Sequence, residues 1–181
     1  MRIALVATHH SDYAANLAIA LAEKHEVMLI LGSRCTRRQI EPESLSLLAQ
    51  QVLLKIVPHH LAPLQRPIAR LCQFHIHRFA PDVVHLQEHP TRSMGLLARH
   101  LNRRFPLVTT VHDPVPHSGG DHRAALKFQQ YYRDLRVFSD RLIVHGTPLV
   151  ASLESTGVWR SKIVPVPHGV LRFGRYMAAE E

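Results

Sequence analysis

Several features that would each mark a different class of protein are scarce or missing in this chain of 181 residues. It has two cysteines, Cys35 and Cys72, too few for a disulfide framework, and nothing in it calls for an oxidising compartment. No apolar run approaches the ~18–20 residues that a membrane-spanning helix needs. Acidic residues number 14 against 22 Lys and Arg, a formal net charge of +8. That imbalance points to an anionic partner: nucleic acid, acidic lipid headgroups or a phosphorylated ligand. Aromatic residues make up only 6% and are almost absent from the basic stretches. This argues against nucleic acid, whose sites interleave stacking rings with cations. No Gly-x-Gly-x-x-Gly follows the first apolar run, so a dinucleotide fingerprint is absent. Ser118 has no nucleophile-elbow motif around it, which leaves a serine hydrolase without support.

The opening run, Met1 to Ala7, carries one basic residue and is interrupted at Thr8-His9-His10-Ser11-Asp12, too early for a signal peptide. It reads as the first strand of a cytoplasmic protein. The length suits one domain with a sizeable core, and the apolar share of 46% is ordinary. Short apolar runs then alternate with helical periodicity. Strands are expected at 2–7, 26–31, 52–57, 83–87, 107–111, 141–145 and 162–166. Helices are expected at 13–25, 42–50, 63–80, 91–104 and 121–139, with another running from a Thr147 N-cap and Pro148 to Gly157. Arg34, Arg37 and Arg38 read as a basic loop. The alternation implies a Rossmann-like α/β fold: a doubly wound, mostly parallel seven-stranded sheet with helices on both faces.

The segment 107–120 organises the rest. Leu107 to Val111 is an apolar, β-branched strand, and His112 and Asp113 follow just where it would leave the sheet. Pro114 and Pro116 hold the exit extended, and Gly119-Gly120 ends it in a turn. Open α/β sheets bind ligands at the carboxyl ends of their strands. Eight of the fifteen histidines fall there: His9, His10, His59, His60, His89, His112, His145 and His168. Gln87, Glu88, Asp113 and His117 lie beside them. Imidazoles at such a rim can donate to phosphate or sugar hydroxyls, accept from them, or move protons near neutral pH. The plainer reading is that a histidine-rich composition scatters them over polar loops. A zinc site at Cys72-x-x-His75-x-His77 fails on geometry, because helix positions 75 and 77 point roughly 200° apart. His85, inside a strand, reads as a hydrogen-bonded interior residue. The arginines of helix 63–80, Arg66, Arg70 and Arg78, read as a solvated face or as a surface meeting an anionic membrane.

Four stretches in order carry a family resemblance. Thr110-Val111-His112-Asp113-Pro114-x-Pro116-His117-Ser118-Gly119 resembles the acceptor-side motif of family 4 glycosyltransferases of the GT-B fold. Pro81-Asp82-Val83-Val84-His85-Leu86-Gln87 is similar to the strand before it. Asp140-Arg141-Leu142-Ile143-Val144-His145-Gly146 and Lys162-Ile163-Val164-Pro165-Val166-Pro167-His168-Gly169 resemble the two strands that close that domain. The resemblance implies an amino-terminal, acceptor-binding half, residues 1–170, facing a donor half that holds a nucleotide sugar. It implies His112 at the cleft with Asp113 orienting it, acceptor contacts from Gln87, Glu88, His89, His117 and His145, and an interdomain hinge at His168 and Gly169. Thr8, His9, His10 and Ser11 would face the donor diphosphate, where the family usually has glycines. Retention of configuration without a bound metal is the implied chemistry. Residues 171–181 read as the start of a linker, with the donor-binding domain absent, so transfer would need a donor-binding domain or subunit. The expected location is cytoplasmic, peripheral on the inner face of a membrane, with a glycan or lipid-linked acceptor. The alternatives are a non-catalytic binding or membrane-docking module, and a self-sufficient flavodoxin-like regulator or small hydrolase.

Overall fold

The computed structural model describes residues 1–58, 64–115 and 120–169, with the side chains of 120–126 outside the description. Seven strands form one sheet: β1 (Arg2–Ala7), β2 (Glu26–Gly32), β3 (Leu53–Val57), β4 (Val83–Gln87), β5 (Leu107–Val111), β6 (Arg141–His145) and β7 (Ile163–Val166). Every pairing is parallel, and the order across the sheet is β3-β2-β1-β4-β5-β6-β7. The helices are α1 (Ser11–Ala22), α2 (Ser33–Gln39), α3 (Pro42–Gln51), α4 (Gln65–Phe79), α5 (Arg92–Leu101), α6 (Gly120–Phe138) and α7 (Pro148–Glu154). The Rossmann-like reading of the sequence is what the chain adopts.

The strand pleat sends alternate residues to opposite faces. From the centre of the sheet, Ala4, Val6, Met28 and Ile30 pack with Ile68, Cys72 and Ile76 of α4 and Met94 and Leu97 of α5. Leu5, Ala7, Leu29 and Leu31 pack with Ala14, Ala15 and Ala18 of α1 and Leu48 of α3. Both faces are covered, which is why the central strands are apolar throughout rather than alternating. A smaller cluster joins Val111, Leu142, Val144 and Ile163 to Val150 and Leu153 of α7.

Chain order grows outward from β1 to β3, then returns through α4 to β4 on the other side of β1. The crevice at the carboxyl ends of β1 and β4 is therefore the topological switch point, where open α/β sheets hold ligands.

Some local expectations need correcting. The stretch holding Arg34, Arg37 and Arg38 is the helix α2, not a loop, and the Thr36 hydroxyl donates to the Gly32 carbonyl at 3.0 Å on its buried side. Helix α1 starts at Ser11 rather than Tyr13, because His10 turns into the left-handed region at φ 53° and launches it. Helical spacing favours Leu64, Ile68, Leu71, Cys72, His75 and Phe79 as the inner face of α4, but the buried stripe is Ile68, Ala69, Cys72, Ile76 and Phe79, with Leu64, Leu71 and His75 off it. On α6 the helical spacing favours Ala125, Phe128, Tyr132 and Leu135 as the inner face; Leu135 is buried, Phe128 and Tyr132 are only half-buried, and Ala125 lies outside the described side chains. Thr147 precedes α7 in helical conformation and makes no side-chain cap.

Candidate functional site

The exits of β1, β4, β5, β6 and β7 bring six imidazoles into one row. Ring centroids are 5.1 Å apart for His89 and His9, 4.4 Å for His9 and His10, and 4.2 Å for His10 and His112. The row continues at 5.3 Å to His145 and 4.6 Å to His168. Tyr13, in the first turn of α1, packs its ring against His112, His145 and His168 at 5.0, 5.2 and 5.3 Å. The three remaining histidines proposed for this rim, His59, His60 and His117, lie outside the described residues.

Side-chain hydrogen bonds fix the row to neighbouring strands. Thr8 Oγ1 lies 2.9 Å from His89 Nδ1, joining β1 to β4. His112 Nε2 lies 2.9 Å from Gln87 Oε1, so on this nitrogen the orienting partner is the carboxamide on β4. His85 Nε2 pairs with Thr110 Oγ1 at 2.8 Å inside the sheet, as an interior histidine should. Ser11 N–H donates to Gln39 Oε1 at 2.8 Å, and Tyr13 N–H to Asp12 Oδ1 at 2.8 Å. The first loop thus spends part of its amide donors within the chain. Gly32 makes the close approach behind that loop: a Cβ there would meet the Thr8 carbonyl oxygen at 2.8 Å.

Several polar atoms of the rim are buried with no hydrogen-bond partner: His9 Nδ1, Gln87 Nε2, and Nδ1 and Nε2 of His145. The Val166 backbone lies close enough to His145 to favour its protonated form without making a bond of good geometry. Buried polar groups ordinarily find partners, so a cluster of orphaned donors and acceptors points to a ligand.

Burial, with repulsion between neighbouring rings, disfavours the charged form of four of the six rings. Burial, then His10, brings His9 down to about 4, with Asp12 opposing. Burial, then the neighbouring rings His10, His145, His168 and His9, brings His112 down to about 3. His10 and His145 are also lowered, chiefly by burial; Asp12 and Asp113 partly restore His10. Near neutral pH these four rings are neutral donors and acceptors.

Arg136 was not singled out in the sequence. Its Nε and Nη2 donate to both oxygens of Glu88 at 2.8 and 3.1 Å, and Nη1 donates to the Pro114 carbonyl at 3.1 Å and Thr156 Oγ1 at 3.3 Å. One side chain of α6 thereby clamps the exits of β4 and β5. Burial pushes the Glu88 carboxyl up, and the guanidinium opposes that. Nothing in the local pattern set it apart from Arg123 and Arg133 on the same helix. From Asp113 a groove of about 1040 Å³ runs outward between α6 and the turn after α7, lined by Val115, Gln129, Arg133 and Trp159.

The remaining candidates lie elsewhere or at the margin. Arg66, Arg70 and Arg78 stand exposed on α4 in an i+4 series with Phe74, which is 58% exposed. His168 and Gly169 are exposed beyond β7, and His168 Nδ1 lies 2.7 Å from the Gly169 carbonyl. Among the described residues, no group of three or more His, Cys, Asp and Glu is arranged to hold a metal ion.

Comparison with known proteins adds three findings. A family model described as Glycosyltransferase Family 4 matches residues 10–170. No curated protein matches the chain. Solved structures with the same fold include Anabaena HepE in complex with UDP, at 14% identity and a TM-score of 0.62, covering 94% of this chain and 44% of that one. The UDP-GlcNAc 2-epimerase of Neisseria meningitidis bound to UDP-GlcNAc is 14% identical with a TM-score of 0.62, covering 91% and 45%. S. aureus MnaA in its UDP co-structure is 14% identical with a TM-score of 0.66, covering 91% and 43%. The chain spans under half the length of these proteins, and at such identity the likeness is one of fold, of the GT-B type.

Proposed function

The chain belongs to glycosyltransferase family 4, and from that membership we propose that it is the acceptor-binding half of a retaining glycosyltransferase. It would act with a donor-binding half, as a separate domain or subunit, that carries a nucleotide sugar. The observation that carries this reading is the row from His89 to His168 at the switch point of the sheet, with its orphaned polar atoms. The acceptor is a glycan or a lipid-linked sugar.

In this reading His112 faces the transferred sugar. Its ring, oriented by Gln87 and neutral in the free protein, offers a hydrogen bond to a sugar hydroxyl rather than a proton. His145 and Gln87, with unmade hydrogen bonds, supply further polar contacts. Asp113 opens the groove toward Trp159, along which an acceptor extends. Thr8, His9, His10 and Ser11 face the diphosphate. Supplying a donor half and measuring sugar transfer tests the reading. His112→Ala lowers transfer by about 100-fold, the scale of a lost hydrogen bond to the reacting group; transfer at the original rate in that variant would overturn the assignment.

A second reading, a membrane-docking module, draws on one observation: the exposed stripe of Arg66, Arg70, Phe74 and Arg78 on α4 combines cations with a protruding ring. The two are compatible if the acceptor is lipid-linked, with the protein peripheral on the cytoplasmic face. Co-sedimentation with phosphatidylglycerol vesicles, lost when the three arginines become glutamates, is the expected result. Binding unaffected by that reversal rules the surface out.

A further inference from the structure

Two backbone donors at the crevice between β1 and β4 are already engaged. Ser11 N–H is already held by Gln39 and Tyr13 N–H by Asp12, and Asp12 adds a negative charge to the first turn of α1. What faces the crevice instead is the row of rings. Gln87, fully buried, directs one carboxamide oxygen to His112 and leaves its N–H donors unmade. His9 Nδ1 and both nitrogens of His145 are likewise buried and unpartnered. A neutral imidazole offers one N–H and no charge; a protonated one offers two N–H donors and a full positive charge.

We propose that the imidazole row is an anion site that acquires its charge on binding: a phosphate-type dianion seats against His10, His112 and His145 and draws at least one proton from solvent onto the rings. The proposal rests on the reading above that the loop holding His10 faces the diphosphate of a donor; it extends the anion's contacts along the row from His10 to His112 and His145, so that rings neutral in the free protein and placed near the sugar gain charge once the diphosphate is seated. The rings touch in sequence at 4.2 to 5.3 Å, so each proton added to an empty row raises the cost of the next. A dianion reverses that balance. One negative charge about 4 Å from an imidazolium, at the effective dielectric of a protein surface, favours protonation by roughly three pH units. That carries His112, now held near 3, to about 6, and the second charge of the dianion takes it further toward neutral pH.

The other charged and titratable groups around the row set its direction. Asp12 on α1 and Asp113 after β5 both favour a charged His10. From α1, Tyr13 contributes a neutral phenol, which burial holds protonated. Glu88 after β4 is neutralised by Arg136 of α6, so neither dominates the crevice. On α2, Arg34, Arg38 and the Cys35 thiol approach from the side of Asp12. His89 and His168 close the two ends.

Sulfate is the probe, because it stays a dianion across the pH range and any proton taken up must reside on the protein. The full 181-residue chain is titrated between pH 5 and 8, in sodium sulfate and in sodium chloride of equal ionic strength, while the histidine Cε1–H resonances are followed by NMR. The expected result is that at least one of His10, His112 and His145 titrates within this range in sulfate, at a midpoint one pH unit or more above its position in chloride, where His112 stays neutral throughout. Between the free and bound midpoints, sulfate affinity falls about tenfold per unit rise in pH for each proton taken up. The double variant His10→Gln, His112→Gln loses that slope. Identical midpoints in the two salts overturn the proposal, as does affinity that is independent of pH and unchanged in the double variant, the signature of surface arginines. Sulfate needs neither donor half nor acceptor. A failure here with active transfer leaves the glycosyltransferase reading standing, and proton-linked sulfate binding without transfer leaves this one.

Discussion

His112 Nε2 and Gln87 Oε1 meet at 2.9 Å across two adjacent strands, β5 and β4, 25 residues apart in the chain. The bond turns two strand ends into one fixed edge and sets the ring that the rest of the row packs against. Because Gln87 is fully buried and offers an uncharged acceptor, it orients the ring without favouring a proton on it.

Gln87→Glu tests that relationship directly. A carboxylate in the same place favours the imidazolium, so the His112 midpoint rises from about 3 toward the ordinary histidine value. NMR titration of the variant shows a shift of one pH unit or more; an unmoved midpoint means that Gln87 does not govern the ring.

Arg136→Met strands the buried Glu88 carboxylate. Removing one partner of a buried pair costs about 3–5 kcal/mol. Adding Glu88→Gln removes the stranded charge and recovers much of that loss. Urea unfolding of the two variants separates a clamp held by charge from mere packing. Equal stability of single and double variants contradicts the clamp.

Stability depends on pH through the rings held neutral. His85 and His9 sit at about 4 and His112 at about 3 in the folded protein, against about 6.5 unfolded. The unfolded chain therefore binds more protons between these values. Stability is at its full value above pH ~6.5 and is lost as pH falls toward ~3–4, at up to about 1.4 kcal/mol per pH unit for each such ring. The urea midpoint at pH 5 lies below that at pH 7.5, and His85→Gln flattens the difference.

Gly32→Ala places a Cβ 2.8 Å from the Thr8 carbonyl oxygen, a backbone atom that cannot move alone. The expected cost is about 1–3 kcal/mol in urea unfolding, with displacement of Thr8 from His89. A variant as stable as the parent means that the loop yields at no cost.

The alternation of short apolar strands with helical spacing determined the architecture from sequence alone. A strand buried on both faces must be apolar throughout, and parallel strands need helical crossovers, so the order of patterns gives the fold class, while the strand order β3-β2-β1-β4-β5-β6-β7 came only with the structure. Counting imidazoles at strand ends was likewise enough to place His9, His10, His89, His112, His145 and His168 on one edge, because parallel strands all end on the same side. Which partner each ring would find was decided only in three dimensions. Gln87 reaching His112, Gln39 capping Ser11 and Arg136 clamping Glu88 join residues 25, 28 and 48 positions apart. No local pattern encodes such pairs. They follow from the shift and twist of neighbouring strands and from the rotation of helices such as α4 and α6 about their axes, which packing sets and periodicity leaves open by about one residue.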